Sequence, residues 1–567
     1  MAKDLTPFET WPLRIPNFAK EGEKCRALAQ QIREAATQEE CLKKIRQYFK
    51  LNDRVSEAIT IIQVRYSLNT ADKKLIKAND ACDEGIPLLQ AADNEVKTAI
   101  LESPFRPFLE KKLGTHLFTM YDFARKSFDD CIIEDLVKEN QLVTQYSTTI
   151  ARIRVEFRGE TYNLPQMGKF MQDLDRETRR ESSEAYFAKL TEVAPELERI
   201  YDELVKLRDG MAKKLGLKSY TELGYLRMGR YDYNAEEVAF YRDQIAEYVT
   251  PIAASLTKAQ LKRIGIPKPH IYDLNLDFPD GNPTPIGTTE EKIERAKKMY
   301  DQLSPEASYF FRRMADHHLL DLEARPNKQS GGYMTYFPIH GVPFIFSNFN
   351  GTSGDVDVLT HEFGHSFQGF MGKDIKVPDY RCPTMEGAEI DSMSMEFFAH
   401  PYMDLFFDNA ERYRYSHLAD AISFLPYGVT VDEFQHWVYA HPEATPEERD
   451  LEWCRLEEKY TPYKRALYGD CEYLAKGHRW LTQGHIFASP FYYIDYTLAQ
   501  VMAFQFFNLD RKDHSQAWKK YVRLCKLGGR FPFRTLVLKA KLKDPFAPGV
   551  IGKTIKPLSK VLKSYNI

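Results

Sequence analysis

Two histidines four positions apart, His361 and His365, stand in the stretch THEFGHSF, with Glu362 directly after the first. Four residues along an α-helix bring two side chains onto one face, about one turn apart, where both can reach one metal ion. A zinc ion held in this way lowers the pKa of a bound water, and a neighbouring glutamate can take the proton as the water attacks a carbonyl group. The pattern predicts a zinc site with His361 and His365 as ligands and Glu362 as the general base.

A zinc site of this kind needs a third protein ligand. A histidine six residues after His365 would supply it in one class of zinc enzymes, but Met371 stands there, so that class is excluded. The later segment TMEGAEIDSMSMEFF predicts a second helix that carries Glu386, Glu389 and Glu396 within one stripe. Such a row suits one ligand and one supporting carboxylate. The residues alone do not choose between Glu386 and Glu389.

The composition is that of an ordinary folded protein, since 43% of the 567 residues are hydrophobic and 28% are charged. This length exceeds one ordinary core and predicts two or more lobes. The net charge of −3 argues against a nucleic-acid partner, and no apolar run reaches the length of about 18 residues that a membrane span needs. Eight scattered cysteines and an N-terminus unlike a signal peptide predict a cytoplasmic protein.

The hydrophobic pattern predicts a mainly α fold. Apolar residues three and four apart dominate residues 17 to about 150, and a stripe over residues 186–211 predicts a long helix with a kink or break just before Pro195. The alternating stretch IRVEFRGETYNL predicts a β-hairpin. Residues 330–355 are rich in aromatic side chains and predict extended structure leading into the HEFGH helix. We therefore expect a small β-sheet beside that helix.

The motif and the segments around it resemble a known family. HEFGHSFQGF followed by a glutamate helix is similar to the thimet oligopeptidase family of zinc metallopeptidases, specifically its oligoendopeptidase F-like branch. PFIFSNFNGTSGDVDVLT and GHIFASPFYYIDYTLAQ extend the resemblance over about residues 140–550. It implies two helical lobes around a deep channel. On this basis we predict an N-terminal helical lobe at 1–150, a hairpin and connecting helix at 151–200, and a zinc peptidase catalytic domain at 201–567.

The resemblance also implies roles for single residues. It assigns the third zinc ligand to Glu389, with one zinc ion per chain, and we add the hypothesis that Glu396 supports a ligand histidine. It assigns stabilisation of the developing oxyanion to His485, Tyr493 and Tyr496.

Tyr492 is a further candidate for a substrate-contacting role, because ASPF replaces the glycine-rich stretch of the animal members and leaves the register of the tyrosines open. The strand PFIFSNF, with Phe346 and Asn348, is predicted to offer a sheet edge to which an extended peptide adds by backbone hydrogen bonds.

These expectations together predict a zinc endopeptidase that cuts short unstructured oligopeptides, as a monomer or homodimer with no nucleic-acid or membrane partner. Two alternatives remain open. One is a zinc exopeptidase, similar to a carboxypeptidase, on a related helical scaffold. The other is a non-catalytic peptide-binding protein.

Overall fold

The computed structural model describes residues 5–567, and most of them lie in α-helices. The helices are α1 (Phe18–Arg33), α2 (Gln38–Leu68), α3 (Lys73–Leu101), α4 (Arg106–Leu113), α5 (Thr115–Lys126), α6 (Ile133–Arg152), α7 (Leu164–Met171), α8 (Arg176–Lys214), α9 (Tyr220–Arg227), α10 (Ala235–Tyr248), α11 (Thr250–Ile264), α12 (Thr289–Leu303), α13 (Pro305–Asp316), α14 (Gly354–Gly372), α15 (Met385–Ala399), α16 (Ala410–Ala440), α17 (Pro446–Tyr460), α18 (Pro462–Arg465), α19 (Glu472–Ala475), α20 (Gly484–Ala488), α21 (Tyr493–Asp510), α22 (His514–Leu527), α23 (Phe533–Lys539) and α24 (Val550–Leu562).

The strands are β1 (Val155–Phe157), β2 (Glu160–Tyr162), β3 (Leu320–Glu323), β4 (Tyr333–Phe337) and β5 (Val342–Phe349). The prediction of a mainly helical fold with a small sheet beside the HEFGH helix is confirmed, because β4 and β5 both pack on α14. In the part of the chain that the structure describes, no helix combines the length and the apolar character needed to cross a membrane.

The predicted hairpin is also confirmed. Strands β1 and β2 pair antiparallel, with Val155 opposite Tyr162, and a two-residue turn connects them. Both turn residues, Arg158 and Gly159, have positive φ (51° and 83°), which matches the twist that a tight hairpin requires.

Helix α8 does not break at Pro195 as one reading of the sequence expected, and it runs from Arg176 to Lys214 without interruption. Proline removes one backbone hydrogen bond from a helix interior. Here the buried residues Leu190 and Leu197 lie on either side of it, both at most 1% exposed. Packing on both sides of the proline therefore holds the two halves in one helix.

The chain divides into two compact units, each gathered from three separate segments. The first unit consists of Met1–Arg125, Thr284–Ala410 and Met502–Lys543, and it contains the three-stranded sheet with α14 and α15. The second unit consists of Lys126–Pro283, Glu411–Val501 and Asp544–Ile567. The division into three consecutive domains stays a prediction, as does the channel.

The predicted sheet edge lies on a different strand. In the order β3-β5-β4, strand β5 is central, parallel to β3 and antiparallel to β4. The ring of Phe346 in β5 is buried and stacks on Tyr333 at 4.8 Å, and Asn348 Nδ2 donates to the carbonyl oxygens of Gln329 and Gly331. The prediction that PFIFSNF is an edge is wrong, because strands from both sides already pair with it. The predicted peptide contacts of Phe346 and Asn348 depended on this edge, so they are not supported.

Candidate active site

The HEFGH motif lies on α14, which follows β5 after a tight loop. The carboxylate of Asp355, in the first turn of α14, accepts hydrogen bonds from the backbone N–H groups of Asn350 (2.8 Å) and Gly351 (3.1 Å). The same buried carboxylate forms an ion pair with Lys292 at 2.8 Å. A carboxylate at a helix N-terminus is favourable to the helix dipole, and these contacts fix where the motif helix begins.

The glutamate helix α15 crosses α14 in direct backbone contact at Gly364, the second variable position of the motif. A Cβ atom on residue 364 would lie 2.6 Å from both the carbonyl oxygen of Asp391 and the Cα of Ser392. Only a glycine leaves room for this crossing, because real Cβ atoms do not approach backbone so closely. The crossing brings α15 near enough for a glutamate to reach both histidines.

The three predicted ligands form one group of donor atoms. Glu389 Oε2 lies 3.3 Å from His361 Nε2 and 3.7 Å from His365 Nε2, and all three atoms lie within 4.8 Å of one another. Tetrahedral zinc with bonds of about 2.0–2.1 Å requires donor atoms about 3.4 Å apart, so the spacing fits. Two imidazoles and one carboxylate are also the donor set of many catalytic zinc sites, which keep one position open.

Glu386, the other open candidate, lies one turn before Glu389 on α15 and is fully buried. It does not belong to the donor group, which consists of His361, His365 and Glu389. The Ser392 hydroxyl donates to Glu389 Oε2 at 3.0 Å and helps to fix the carboxylate. The geometry therefore favours Glu389 over Glu386, a choice that the residue pattern left open.

Glu396 lies about two turns beyond Glu389 on α15, with its Oε1 atom 2.7 Å from His361 Nδ1. This contact places the imidazole proton on Nδ1 and leaves the Nε2 lone pair directed towards the donor group. Such outer hydrogen bonds orient a ligand histidine and raise its basicity.

Replacing Glu396 by glutamine is expected to lower metal affinity by about 10- to 100-fold, because the charged partner of His361 is lost while the ligands remain. Competition with a chelator of known affinity measures the change. Glu294→Gln, which alters an exposed glutamate of α12, is the matched control and is expected to bind metal like the parent. Equal affinity of the two variants would show that Glu396 does not orient His361.

Glu362 faces away from bulk water and is only 8% exposed. Its Oε2 atom is buried and has no hydrogen-bond partner among the described residues. Burial raises the pKa of Glu362 to about 7. A buried carboxylate with an oxygen left open is suited to accept a proton.

The two histidines differ in their electrostatic environment. Burial tends to lower the pKa of His361, but the hydrogen bonds that Glu389 and Glu396 accept from its ring outweigh burial and raise this pKa well above its usual value. Burial lowers the pKa of His365 to about 4. Because metal ions bind neutral imidazole, a bound metal ion would replace the proton that these carboxylates attract to His361.

A second group of histidine and carboxylate side chains lies in the second unit, where Glu198, Asp450 and His478 place donor atoms within 4.8 Å of one another. His478 Nε2 lies 3.1 Å from Asp450 Oδ2 and 3.6 Å from Glu198 Oε1. However, His478 Nδ1 is buried and has no partner among the described residues. A metal-bound histidine usually donates its other N–H to a partner, so this group does not match a metal site.

The residues predicted to contact the oxyanion and the substrate form a cluster of their own in the second unit, which we call the late cluster: His485, Tyr492, Tyr493 and Tyr496. The ring of His485 lies 5.8, 5.1 and 5.7 Å from those of Tyr492, Tyr493 and Tyr496, respectively. His485 Nδ1 lies 2.8 Å from the amide nitrogen of Gln483, which donates to it, and His485 Nε2 lies 3.4 Å from the Tyr496 hydroxyl. This arrangement places the imidazole proton on Nε2, beside Tyr496, where it can be donated.

Buried arginines that the sequence reasoning missed hold this segment in place. Arg208 donates to the carbonyl oxygen of Phe487, and Arg230 Nη2 donates to that of Phe491 at 2.8 Å. Phe491 has a positive φ of 66°, and its N–H donates to the side-chain oxygen of Gln435 at 2.9 Å. The sequence signal for these arginines is weak, because neither belongs to a recognisable motif: Arg208 lies within α8 and Arg230 in the loop after α9.

A mainly helical chain in which two histidines of an HExxH helix and a glutamate of the following helix converge defines a class of metal-binding, peptidase-type proteins. Comparison with known proteins identifies the family within this class. Residues 169–551 match Peptidase family M3, and residues 8–128 match the Peptidase M3 N-terminal domain. The chain belongs to Peptidase family M3.

Individual relatives agree with this assignment. The chain is similar to Oligopeptidase PepF of Bacillus subtilis (strain 168), with 22% identity over 417 residues, which are 70% of this chain and 58% of that protein. The chain thus spans less than two thirds of that relative's length. Among solved structures it is similar to PZ peptidase A with an inhibitor, with 43% identity, a TM-score of 0.93 and coverage of 98% and 99%. A Bacillus anthracis str. Ames protein assigned as an oligoendopeptidase F has 42% identity, a TM-score of 0.89 and 99% coverage of both chains.

Proposed function

We propose that the chain is a zinc-dependent endopeptidase that hydrolyses internal bonds of short oligopeptides. The observation that carries this proposal is the group of His361, His365 and Glu389, at a spacing that fits zinc, with the open carboxylate of Glu362 on the same helix. The names of the relatives, an oligopeptidase and an oligoendopeptidase F, support the substrate class.

The side chains divide the chemistry between them. His361, His365 and Glu389 would hold one zinc ion, which supplies Lewis-acid polarisation and an acidified water when it is bound. Glu362 accepts the proton of the attacking water and passes it to the leaving amine. Glu396 keeps the His361 ring in position.

The family resemblance supports a donor role for the late cluster. His485 carries its proton on Nε2, and Tyr496 lies against that atom, so both are suited to donate to an oxyanion as it develops. Tyr493 packs against Tyr427 with ring centroids 5.9 Å apart, and we propose that it acts with Tyr496 and that Tyr492 contacts the peptide.

The outer strand β4 replaces β5 as the proposed site of peptide addition. It pairs only with β5 in the sheet order, so its other side is an edge in the described part of the chain. Strand β4 packs on α14, and a backbone hydrogen bond from Met334 opposes the rise that burial causes in the pKa of Glu362. Backbone pairing at an edge binds many sequences, because it does not depend on side chains.

The test is mass-spectrometric mapping of cleavage in a mixed peptide library, with and without a chelator. We expect cuts at internal bonds of short peptides, loss of all cuts after chelation, and recovery with zinc. A peptide blocked at both ends separates the alternatives: an endopeptidase cuts it, an exopeptidase does not, and a binding protein cuts nothing. Persistence of cleavage in the chelator would contradict the proposal. The cytoplasmic location and the monomeric or homodimeric state stay predictions.

A further inference from the structure

Two acidic residues of α2, Asp53 and Glu57, lie one helical turn apart and share one face of that helix. Each is engaged with a segment next to the motif helix α14, although that helix lies far along the chain. Glu57 is buried and Asp53 is half-buried. Neither belongs to the group of donor atoms at the metal site, so any effect on the site would act through the segments that they hold.

Asp53 binds the connector between α14 and α15, residues 373–384. Its Oδ1 atom accepts a hydrogen bond from Arg381 Nη1 at 2.5 Å, and its Oδ2 atom accepts one from Arg381 Nη2 at 3.0 Å. Two parallel bonds of this kind fix the geometry of the pair as well as adding energy. Arg381 Nε also donates to the carbonyl oxygen of Ile375 at 3.2 Å. The guanidinium therefore ties α2 to both the early and the late part of the connector.

The backbone of Arg381 is in contact with α14 as well. Its carbonyl oxygen accepts a hydrogen bond from Gln368 Nε2 at 2.7 Å, and a Cβ atom on Gly372 would lie 2.9 Å from the same oxygen. Helix α15 begins four residues after Arg381, and Glu389 lies in its second turn. A displacement of Arg381 would therefore be passed to the start of the helix that bears the third ligand.

Glu57 binds the turn between β4 and β5. Its Oε2 atom accepts hydrogen bonds from the backbone N–H groups of Ile339 (2.6 Å) and His340 (3.0 Å), and its Oε1 atom lies 2.9 Å from His340 Nδ1. Strand β4 ends at this turn and lies directly on α14, since a Cβ atom on Gly369 would be 3.1 Å from the Tyr336 ring. Glu57 therefore fixes how β4 lies on the motif helix.

Both contacts join α2 to segments that are continuous with the active site. Side chains of a catalytic site need to be held within about 0.5 Å of their productive positions. We propose that Asp53, through Arg381, positions Glu389 against the two ligand histidines, and that Glu57 positions β4 for the bound peptide. The inference rests on the proposed endopeptidase function, because it assigns β4 to the substrate.

The first test measures metal affinity in Asp53→Asn by chelator competition. A reduction of about 2- to 30-fold is expected, because the loss of the bidentate pair lets the connector shift while all three ligands remain. Arg381→Met is expected to give a similar loss, and the double variant to lose no more than the larger single loss, because both changes remove one interaction. The absorption spectrum of the cobalt-loaded chain is expected to change, since it reports ligand geometry. The thermal stability of the metal-free chains separates this from unfolding.

Asp301→Asn is the matched control, since it breaks an exposed bidentate pair with Arg312 in the same unit. It is expected to keep the parent affinity and cobalt spectrum. Arg381→Lys retains the charge without the two parallel bonds, so a smaller loss than in Arg381→Met is expected, and this variant carries the test if the others do not fold. Parent-like affinity and spectrum in Asp53→Asn, or additive losses in the double variant, would overturn the inference for Asp53.

The second test measures KM and kcat in Glu57→Gln. A KM about 2- to 30-fold higher is expected, with kcat and metal affinity close to those of the parent, because a shifted β4 weakens peptide binding and leaves the ligands in place. Glu39→Gln is the control, since Glu39 is an exposed residue of the same helix. An unchanged KM, or a loss of metal affinity without a change in KM, would remove Glu57 from this role.

Metal and peptide binding separate this inference from the proposed function, because neither requires turnover. If the parent chain cuts no peptide and Asp53→Asn still lowers metal affinity and alters the cobalt spectrum, the endopeptidase proposal fails and the positioning role of Asp53 stands. If the parent chain cuts peptides and Asp53→Asn binds metal like the parent, the function stands and that role fails. Calorimetry with an unstructured peptide treats Glu57 in the same way: weaker binding to Glu57→Gln supports its role, and equal or absent binding rejects it.

Discussion

The Glu362→Gln variant is expected to bind zinc like the parent chain and to lose peptide hydrolysis by about 100- to 10,000-fold. Glutamine has nearly the same shape, so the packing of α14 remains, but its amide cannot take the proton from the attacking water. Elemental analysis gives the metal content, and kcat for a peptide identified in the library gives the rate. The effect is expected in kcat, because Glu362 acts on the reaction and does not hold the metal.

Glu294→Gln serves as the control for the loss of one negative charge in the same unit, since Glu294 is exposed and paired with Lys297. It is expected to keep both metal and rate. Near-normal hydrolysis by Glu362→Gln would remove this residue from the mechanism. Loss of metal together with rate would instead assign Glu362 a structural part in the site.

The Glu389→Gln variant is expected to lose metal affinity by more than the roughly 100-fold that an outer partner contributes, because an anionic ligand is replaced by a neutral amide. Glu386→Gln is the matched comparison, since both residues are buried on α15 one turn apart. It is expected to keep metal. Chelator competition on both variants, with their thermal stability measured beside it, separates metal loss from unfolding.

The reverse result, with metal lost in Glu386→Gln and kept in Glu389→Gln, would move the third ligand to Glu386. Loss in both variants with equally lowered thermal stability would point to damage of α15 rather than to either ligand. Activity should follow metal content in the two variants, because neither side chain is proposed to move a proton.

Local periodicity explains what the sequence predicted correctly. The four-residue spacing of His361 and His365 needs only one helix to become a shared face, and the turn at Arg158 and Gly159 needs only two strands. These features depend on residues close in the chain. For the same reason, the sequence predicted the stripe of glutamates on α15.

Features that the sequence did not predict depend on contacts between segments that are distant in the chain. The order of strands in the sheet depends on β3, which precedes β5 by some twenty residues and pairs on the side predicted to be open. The choice of Glu389 needed the crossing of α14 and α15.

The backbone contact at Gly364 restricts one of the two positions of the H-E-x-x-H motif at which any residue is usually allowed. A methyl group at this position would have to displace the main chain of α15 near Asp391 and Ser392, and Glu389 is attached to that main chain. A substitution at position 364 would therefore shift the Glu389 carboxylate and lower metal affinity, although residue 364 does not contact the metal site. The pattern H-E-x-G-H therefore describes a helix that can accept a ligand-bearing partner helix at this distance more closely than H-E-x-x-H does.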